Sequence, residues 1–220
     1  MSVDLATVDP KAPVATGMSL QQASDEQLQK FERYVVEILT ALGLDLGTRA
    51  TKEASQRIIH ALFSVASGLE SGPHALKLLS TECQKGLACR EAHIVEGPIR
   101  FLGLCERHAF PLFGHAYVGY VAHEQIMGIC RLTQLVQLLT LRFIGQEMIR
   151  QQIADAIETL LQPYGVAVYL ETDHHCALMQ GTPKPASHWM VWRGNYSLNP
   201  ALQSEFMRAC GLEVDSRQVE

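Results

Sequence analysis

The chain is poor in the features that mark secreted, membrane-spanning and nucleic-acid-coating proteins. Its 6 cysteines in 220 residues are too sparse for a disulfide scaffold. It carries no excess of positive charge: 18 Lys and Arg face 23 Asp and Glu, a formal net charge of −5. Nothing broad attracts phosphate backbones or anionic lipid, so nucleic acid and membrane surfaces are excluded as partners. An anionic ligand must find a local cationic cluster. Long apolar runs are missing too. The most apolar stretch, Leu132 to Ile144, is interrupted by Gln134, Gln137 and Arg142 and is too short and too polar to span a bilayer. The opening residues MSVDLATVDP lack a basic start followed by an apolar core, so no signal peptide is expected. These absences predict a soluble cytoplasmic protein whose thiols are free, buried or metal-bound.

What is present is a hydrophobic fraction of 47%, ample for one generous domain or two small ones. Residues 1–23 show no periodicity and read as a flexible tail. Ser24 reads as an N-cap with Asp25 and Glu26 in the first turn and Gln27 completing a capping box. Leu28, Phe31, Tyr34, Val35, Ile38, Leu39 and Leu42 then form one apolar helix face, closed by Gly43. A second helix is expected from about Lys52 to Ala66, with Ile58, Ile59, Leu62 and Val65 inward and Gly68 after it. Residues 24–95 form an N-terminal helical segment on this reading, and 96–220 a second domain.

From Ile99 the pattern becomes strand-like. Ile99, Phe101 and Leu104, then Ala116 to Val121, read as strands, with Cys105 to Gly114 as the loop between them. A helical region is expected over about Leu132 to Leu161 with a break near Ile144-Gly145, stopped by Pro163 and Gly165. Val166 to Leu170 reads as another strand, Thr172 to Cys176 as a loop, and Trp189 to Trp192 as the last strand. The class is α+β, with strands around a helix pair.

Two loops carry metal chemistry. Cys105 and His108 stand at C-x-x-H spacing, where a thiolate and an imidazole can reach one ion from a tight turn. Cys176 follows another strand, with His174 two residues before it. Three ligands with an open position suit catalytic zinc, which lowers the pKa of its water to about 7. The competing readings are a buried thiol beside a loop histidine, or a structural zinc clip completed by His174 or His175. Cys83, Cys89 and Cys210 read as packed or exposed thiols.

At this point the motifs resemble a family. FLGLCERHAFPLFG over Phe101–Gly114 resembles the signature of GTP cyclohydrolase I, whose usual core is C-E-H-H-x-x-P-F-x-G. Met127 to Leu132 resembles its I-G-L-S-K-hydrophobic segment. Gln146-Glu147 with Gln151 to Ile153 resembles Q-E-R-L-T-x-Q-I, and His174 to Cys176 resembles H-x-C. Lys184 to Ser187 keeps K-P-x-S. The resemblance covers about Leu28 to Cys210.

The resemblance implies a T-fold, an antiparallel sheet with two helices on one face, assembled into barrels and typically a homodecamer with active sites between subunits. It implies Zn2+ on Cys105, His108 and Cys176. In the family reaction water on the zinc adds to C8 of a guanine-type purine nucleotide, the imidazole ring opens and formate leaves; the full reaction continues to dihydroneopterin triphosphate. C8 becomes electrophilic when N7 is protonated, which suits His174 as the acid. Glu147 suits the two donors of a guanine N1/N2 edge, and Gln146 the carbonyl edge.

The departures fall on the ribose and phosphate half. Arg107 stands where the family has the second histidine of its pair, and arginine does not shuttle protons at neutral pH. Cys130 stands where it has a serine. Arg131 replaces a lysine and Arg57 keeps an arginine, both expected to contact phosphate. Gln134 and Gln180-Gly-Thr-Pro183, however, replace three cationic positions, and Trp189 to Trp192 replaces a Thr-rich strand. At about 1.5–3 kcal/mol for each charge-assisted bond, triphosphate affinity falls unless Arg107 or Lys184 compensates. The alternative readings are a paralogue acting on a purine or related heterocycle without a triphosphate, and a non-catalytic purine- or pterin-binding subunit.

Overall fold

The computed structural model describes residues 23–66, 81–82, 92–123, 125–182 and 184–212. The expectations for residues 1–22, Gly68, Cys83 and Cys89, and for the side chain of Val65, lie outside these. The chain divides between Glu70 and Ser71 into two compact units.

In the first unit, Ser24 caps helix α1 (Asp25–Ala41). Its hydroxyl accepts from the Gln27 N–H while the Gln27 side chain accepts from the Ser24 N–H, which satisfies two orphan donors of the first turn. Helix α2 (Ala54–Ala66) follows, and Phe31 stacks on Phe63 with ring centroids 5.8 Å apart. Only part of the expected apolar faces is covered. Ile59 is buried, but Ile58 and Leu62 on α2 are exposed, as are Tyr34, Ile38 and Leu42 on or beside α1. The inward assignment of Ile58 and Leu62 is therefore corrected: within this unit one helix covers only a narrow stripe of its neighbour.

The second unit is built on β2 (His93–Cys105), β3 (Pro111–Val121), β6 (Gly165–Asp173) and β7 (Ser187–Gly194), each antiparallel to the next. Short β1 (Thr81–Glu82) and β4 (Gln125–Ile126) form a separate pair. Between β4 and β6 run α3 (Ile129–Thr140), β5 (Phe143–Ile144) and α4 (Gln146–Leu161). The break expected near Ile144-Gly145 is thus a strand, which joins the edge of the sheet by pairing parallel with the end of β2.

Period-2 alternation divides the sheet's side chains between two cores. On one face Ile99, Phe101, Val118, Tyr120, Val166, Val168 and Leu170 meet Leu132, Leu135 and Val136 of α3 and Ile149, Ile153 and Ile157 of α4. This is the two-helix face of the T-fold. Arg193 fastens β7 to α4 through Glu158 and Asp155, each at 2.6 Å, and Gln151 at 2.7 Å.

The opposite face has a smaller core that the sequence reading did not anticipate. After β7 the chain forms α6 (Asn195–Leu198) and α7 (Pro200–Ala209), the latter capped by the Asn199 side chain with Pro200 in the first turn. Tyr196 and Phe206 from this segment pack on Val121, Ala167 and Tyr169. Gly119 makes the approach possible, since a Cβ there would lie 2.6 Å from Phe206 Cδ2 and Tyr196 Oη.

Two loop boundaries are corrected. The loop after β2 is Glu106–Phe110, because pairing with β2 extends β3 back to Pro111. Strand β6 continues to Asp173, after which Cys176 lies on a short helix, α5 (His175–Met179).

Candidate active site

Strands β2 and β6 are both antiparallel to β3, so they run in the same direction and end at the same edge of the sheet. Cys105 closes β2 and Cys176 lies just beyond β6. Between Cys105 and Phe110 the chain makes a tight turn in which Ala109 adopts φ 56, its N–H donates to the Cys105 carbonyl, and the Cys105 N–H donates to the Phe110 carbonyl. That turn folds His108 back, bringing its Nδ1 to 3.7 Å from Cys105 Sγ. Ligand atoms of Cys105, His108 and Cys176 all lie within 4.8 Å of one another. Two soft thiolates and an imidazole in this cluster could hold a metal ion. Neither His174 nor His175 belongs to the cluster, which leaves three candidate ligands among the described residues.

The same sheet edge receives α4. Pairing of Leu104 with Phe143 and of Cys105 with Ile144 sets the next residues, Gly145, Gln146 and Glu147, beside the ligand turn. A cavity of about 280 Å³ is lined by the three candidate ligands together with Arg107, Gln146, Glu147, His174, Lys184 and Trp189. Arg107 Nη2 approaches Glu147 Oε1 at 3.9 Å, both side chains being more than half exposed, so the pair is loose and open to exchange with a ligand.

A polar network crosses the inner wall. Trp189 Nε1 donates to Gln146 Oε1 at 3.3 Å and Thr172 Oγ1 donates to the same oxygen at 3.1 Å. Gln146 Nε2 lies 3.4 Å from His174 Nδ1, and His174 Nε2 bonds the Ser187 hydroxyl. Thr172, buried completely, and Ser187 were not singled out as site residues. Their signal is modest: a threonine in line with the inward-facing Val166, Val168 and Leu170, and the serine of Lys184 to Ser187.

The other expected site residues lie elsewhere. Cys130 and Arg131 sit in the first turn of α3 and do not line the cavity; Cys130 is exposed and Arg131 donates to Gln134. Arg57 belongs to the first unit, where it pairs with Glu53 at 2.8 Å. Cys210 is half-buried against the second core, and burial pushes its thiol up to about 12.

Comparison with known proteins identifies the family. The family model described as GTP cyclohydrolase I matches residues 31–211. The chain is 32% identical over 183 residues to a GTP cyclohydrolase 1 of Dehalococcoides mccartyi, covering 81% of this chain and 94% of that one. It is 30% identical over 179 residues to the Synechococcus enzyme of that name, covering 79% and 75%. It is 28% identical over 170 residues to that of Saccharomyces cerevisiae, covering 76% and 68%. Spanning both cysteine motifs, the α4 segment and the strands that position them, the match shows that this chain belongs to the GTP cyclohydrolase I family.

Proposed function

We propose that the chain is a zinc-dependent cyclohydrolase that opens the imidazole ring of a guanine-type purine nucleotide and releases formate. One observation carries the reading: three ligand side chains share one cavity with a carboxylate and a carboxamide that suit the polar edge of guanine. Cys105, His108 and Cys176 hold the ion, their thiolate and imidazole donors fitting zinc. Zinc in such a site activates water for addition at neutral pH. Glu147 accepts from N1–H and the N2 amino group, which fixes the base in the cavity. His174 delivers the proton that makes C8 electrophilic.

Arg107 and Lys184 are the cationic groups lining the cavity, and they serve the phosphates. Arg131, Arg57 and Cys130 contribute from outside this cavity if the active site is completed by a second copy in a cytoplasmic homodecamer. With Arg107 unable to shuttle protons, ring opening is the secure half of the reaction, and dihydroneopterin triphosphate is the product only where the later steps are kept.

The second reading, a purine carrying fewer phosphates, is favoured by Arg131 being engaged with Gln134. A panel of GTP, GMP, guanosine and guanine offered to the zinc-loaded protein separates these readings, with formate and pterin followed by mass. Formate from GTP best supports the first, and formate best from GMP or guanosine supports the second. Zinc binding without formate from any of them leaves a binding module.

A further inference from the structure

Gln146 occupies the cavity wall with its carboxamide held by three neighbours, Thr172, His174 and Trp189, and the first two of these can reverse their roles. The Thr172 hydroxyl donates to Gln146 Oε1 at 3.1 Å, yet it can accept instead and turn its proton to the Ser187 carbonyl at 3.4 Å. His174 can carry its proton on either ring nitrogen, and the Ser187 hydroxyl that faces its Nε2 can donate or accept. The indole N–H of Trp189 is different, because it can only donate. It lies 3.3 Å from Gln146 Oε1 and demands an oxygen at that position.

We infer that Trp189 is a specificity-determining residue: its indole N–H locks the Gln146 carboxamide in the orientation that offers an amide N–H, and no acceptor, to the ligand. With Oε1 taken by Thr172 and Trp189, the remaining hydrogen-bonding capacity of Gln146 is on Nε2, which faces His174 with one of its two protons. The second proton suits a carbonyl at the purine 6 position and opposes a 6-amino group. The lock is itself supported, since the Arg150 guanidinium lies 5.0 Å over the Trp189 ring and holds it against α4. Without the indole N–H the network can invert as a whole. Thr172 would accept from Nε2, His174 would donate from Nδ1, and Oε1 would face the ligand with no change in net charge.

This rests on the proposed reading of the cavity as a guanine-type purine site, and the test keeps the two apart. The zinc-loaded full chain is given an equimolar mixture of GTP and 2,6-diaminopurine riboside triphosphate, and consumption of each is followed by mass. The ratio of the two rates reports discrimination and is unmoved by a general loss of active protein. Trp189→Phe keeps an aromatic face for Arg150 but removes the N–H. It is expected to lower the preference for the 6-oxo purine by about tenfold, the size of one hydrogen bond made or opposed. Glu147 distinguishes the two rings equally in both proteins, so the change isolates the 6 position. In a Gln146→Leu background, Trp189→Phe is expected to leave the ratio unchanged. A Trp189→Phe protein that keeps the wild-type ratio overturns the lock alone, as does an effect that persists without Gln146. A wild type that consumes neither ring, whether offered as triphosphate, monophosphate or riboside, overturns the proposed reaction and the lock with it.

Discussion

Cys105 and Ile144 are register partners in the parallel pairing of β2 with β5. One residue past Cys105 begins the turn that returns His108, and one residue past Ile144 begins the approach to Gln146 and Glu147. A strand of two residues thus ties the candidate ligand turn to the start of α4. Ile144 is buried, which fixes the tie from the helix side of the sheet.

The first expectation concerns the metal. Cys176→Ala leaves two of three ligands and should lower bound zinc from about one per chain by at least about tenfold, with formate release falling in parallel. Metal analysis after gel filtration measures it. Retained stoichiometry would place the ion elsewhere.

Gly145 offers a change that spares the metal. A Cβ there would lie 2.8 Å from Glu106 Oε1 and 3.0 Å from Glu147 Oε2, the tips of two flexible side chains. Gly145→Ala should therefore displace Glu147 with little loss of stability. The expected result is a raised KM for the purine, unchanged zinc content and a Tm within about 2–4 °C of the parent.

For Arg107, removal of the guanidinium should separate phosphate from base recognition. Arg107→Met is expected to weaken GTP binding by about tenfold while leaving guanosine binding nearly unchanged, as measured by calorimetry. Equal loss for both ligands would assign Arg107 to the base instead.

At the other face of the sheet, Gly119→Val should push Phe206 and Tyr196 away from β3. Overpacking of this kind costs about 1–3 kcal/mol, read as a lower urea midpoint. The metal-ligand edge is distant along the strands, so zinc content should persist in the folded fraction.

Stability should also fall in alkali. Burial pushes the Cys210 thiol from its ordinary 9.0 up to about 12, and burial with the nearby Glu171 carboxylate pushes Tyr169 from 10.0 up to about 12. The unfolded chain releases these protons first. Stability is therefore fully present below pH 9 and is lost as the pH rises toward 12. Cys210→Ala should flatten the lower part of that decline in urea titrations.

The candidate ligand cluster was legible because its parts depend on short-range geometry. C-x-x-H suits one tight turn, and His174 with Cys176 follows one strand directly. The two-helix face was legible from periodicity, since Ile149, Ile153 and Ile157 recur every four residues. Strand β5 was hidden because Phe143 and Ile144 continue the apolar tone of the helices around them and are defined by pairing with a distant strand. Helix α7 was hidden because its burial hangs largely on one side chain, Phe206, under which Gly119 clears space from far along the chain. The indole N–H that meets the Gln146 carboxamide was beyond any pattern, because Trp189 reaches it across the sheet-to-helix gap.

The shared direction of β2 and β6 has one last consequence. Their ends meet only because β3 lies between them in correct alignment with both. A slip of one residue on either side of β3 would move a cysteine by about 3.3 Å and turn its strand over. The thiolates would then no longer close on one ion. If the cluster holds a metal as proposed, metal uptake is a gauge of strand alignment, and a misaligned sheet would announce itself as a protein that cannot be loaded.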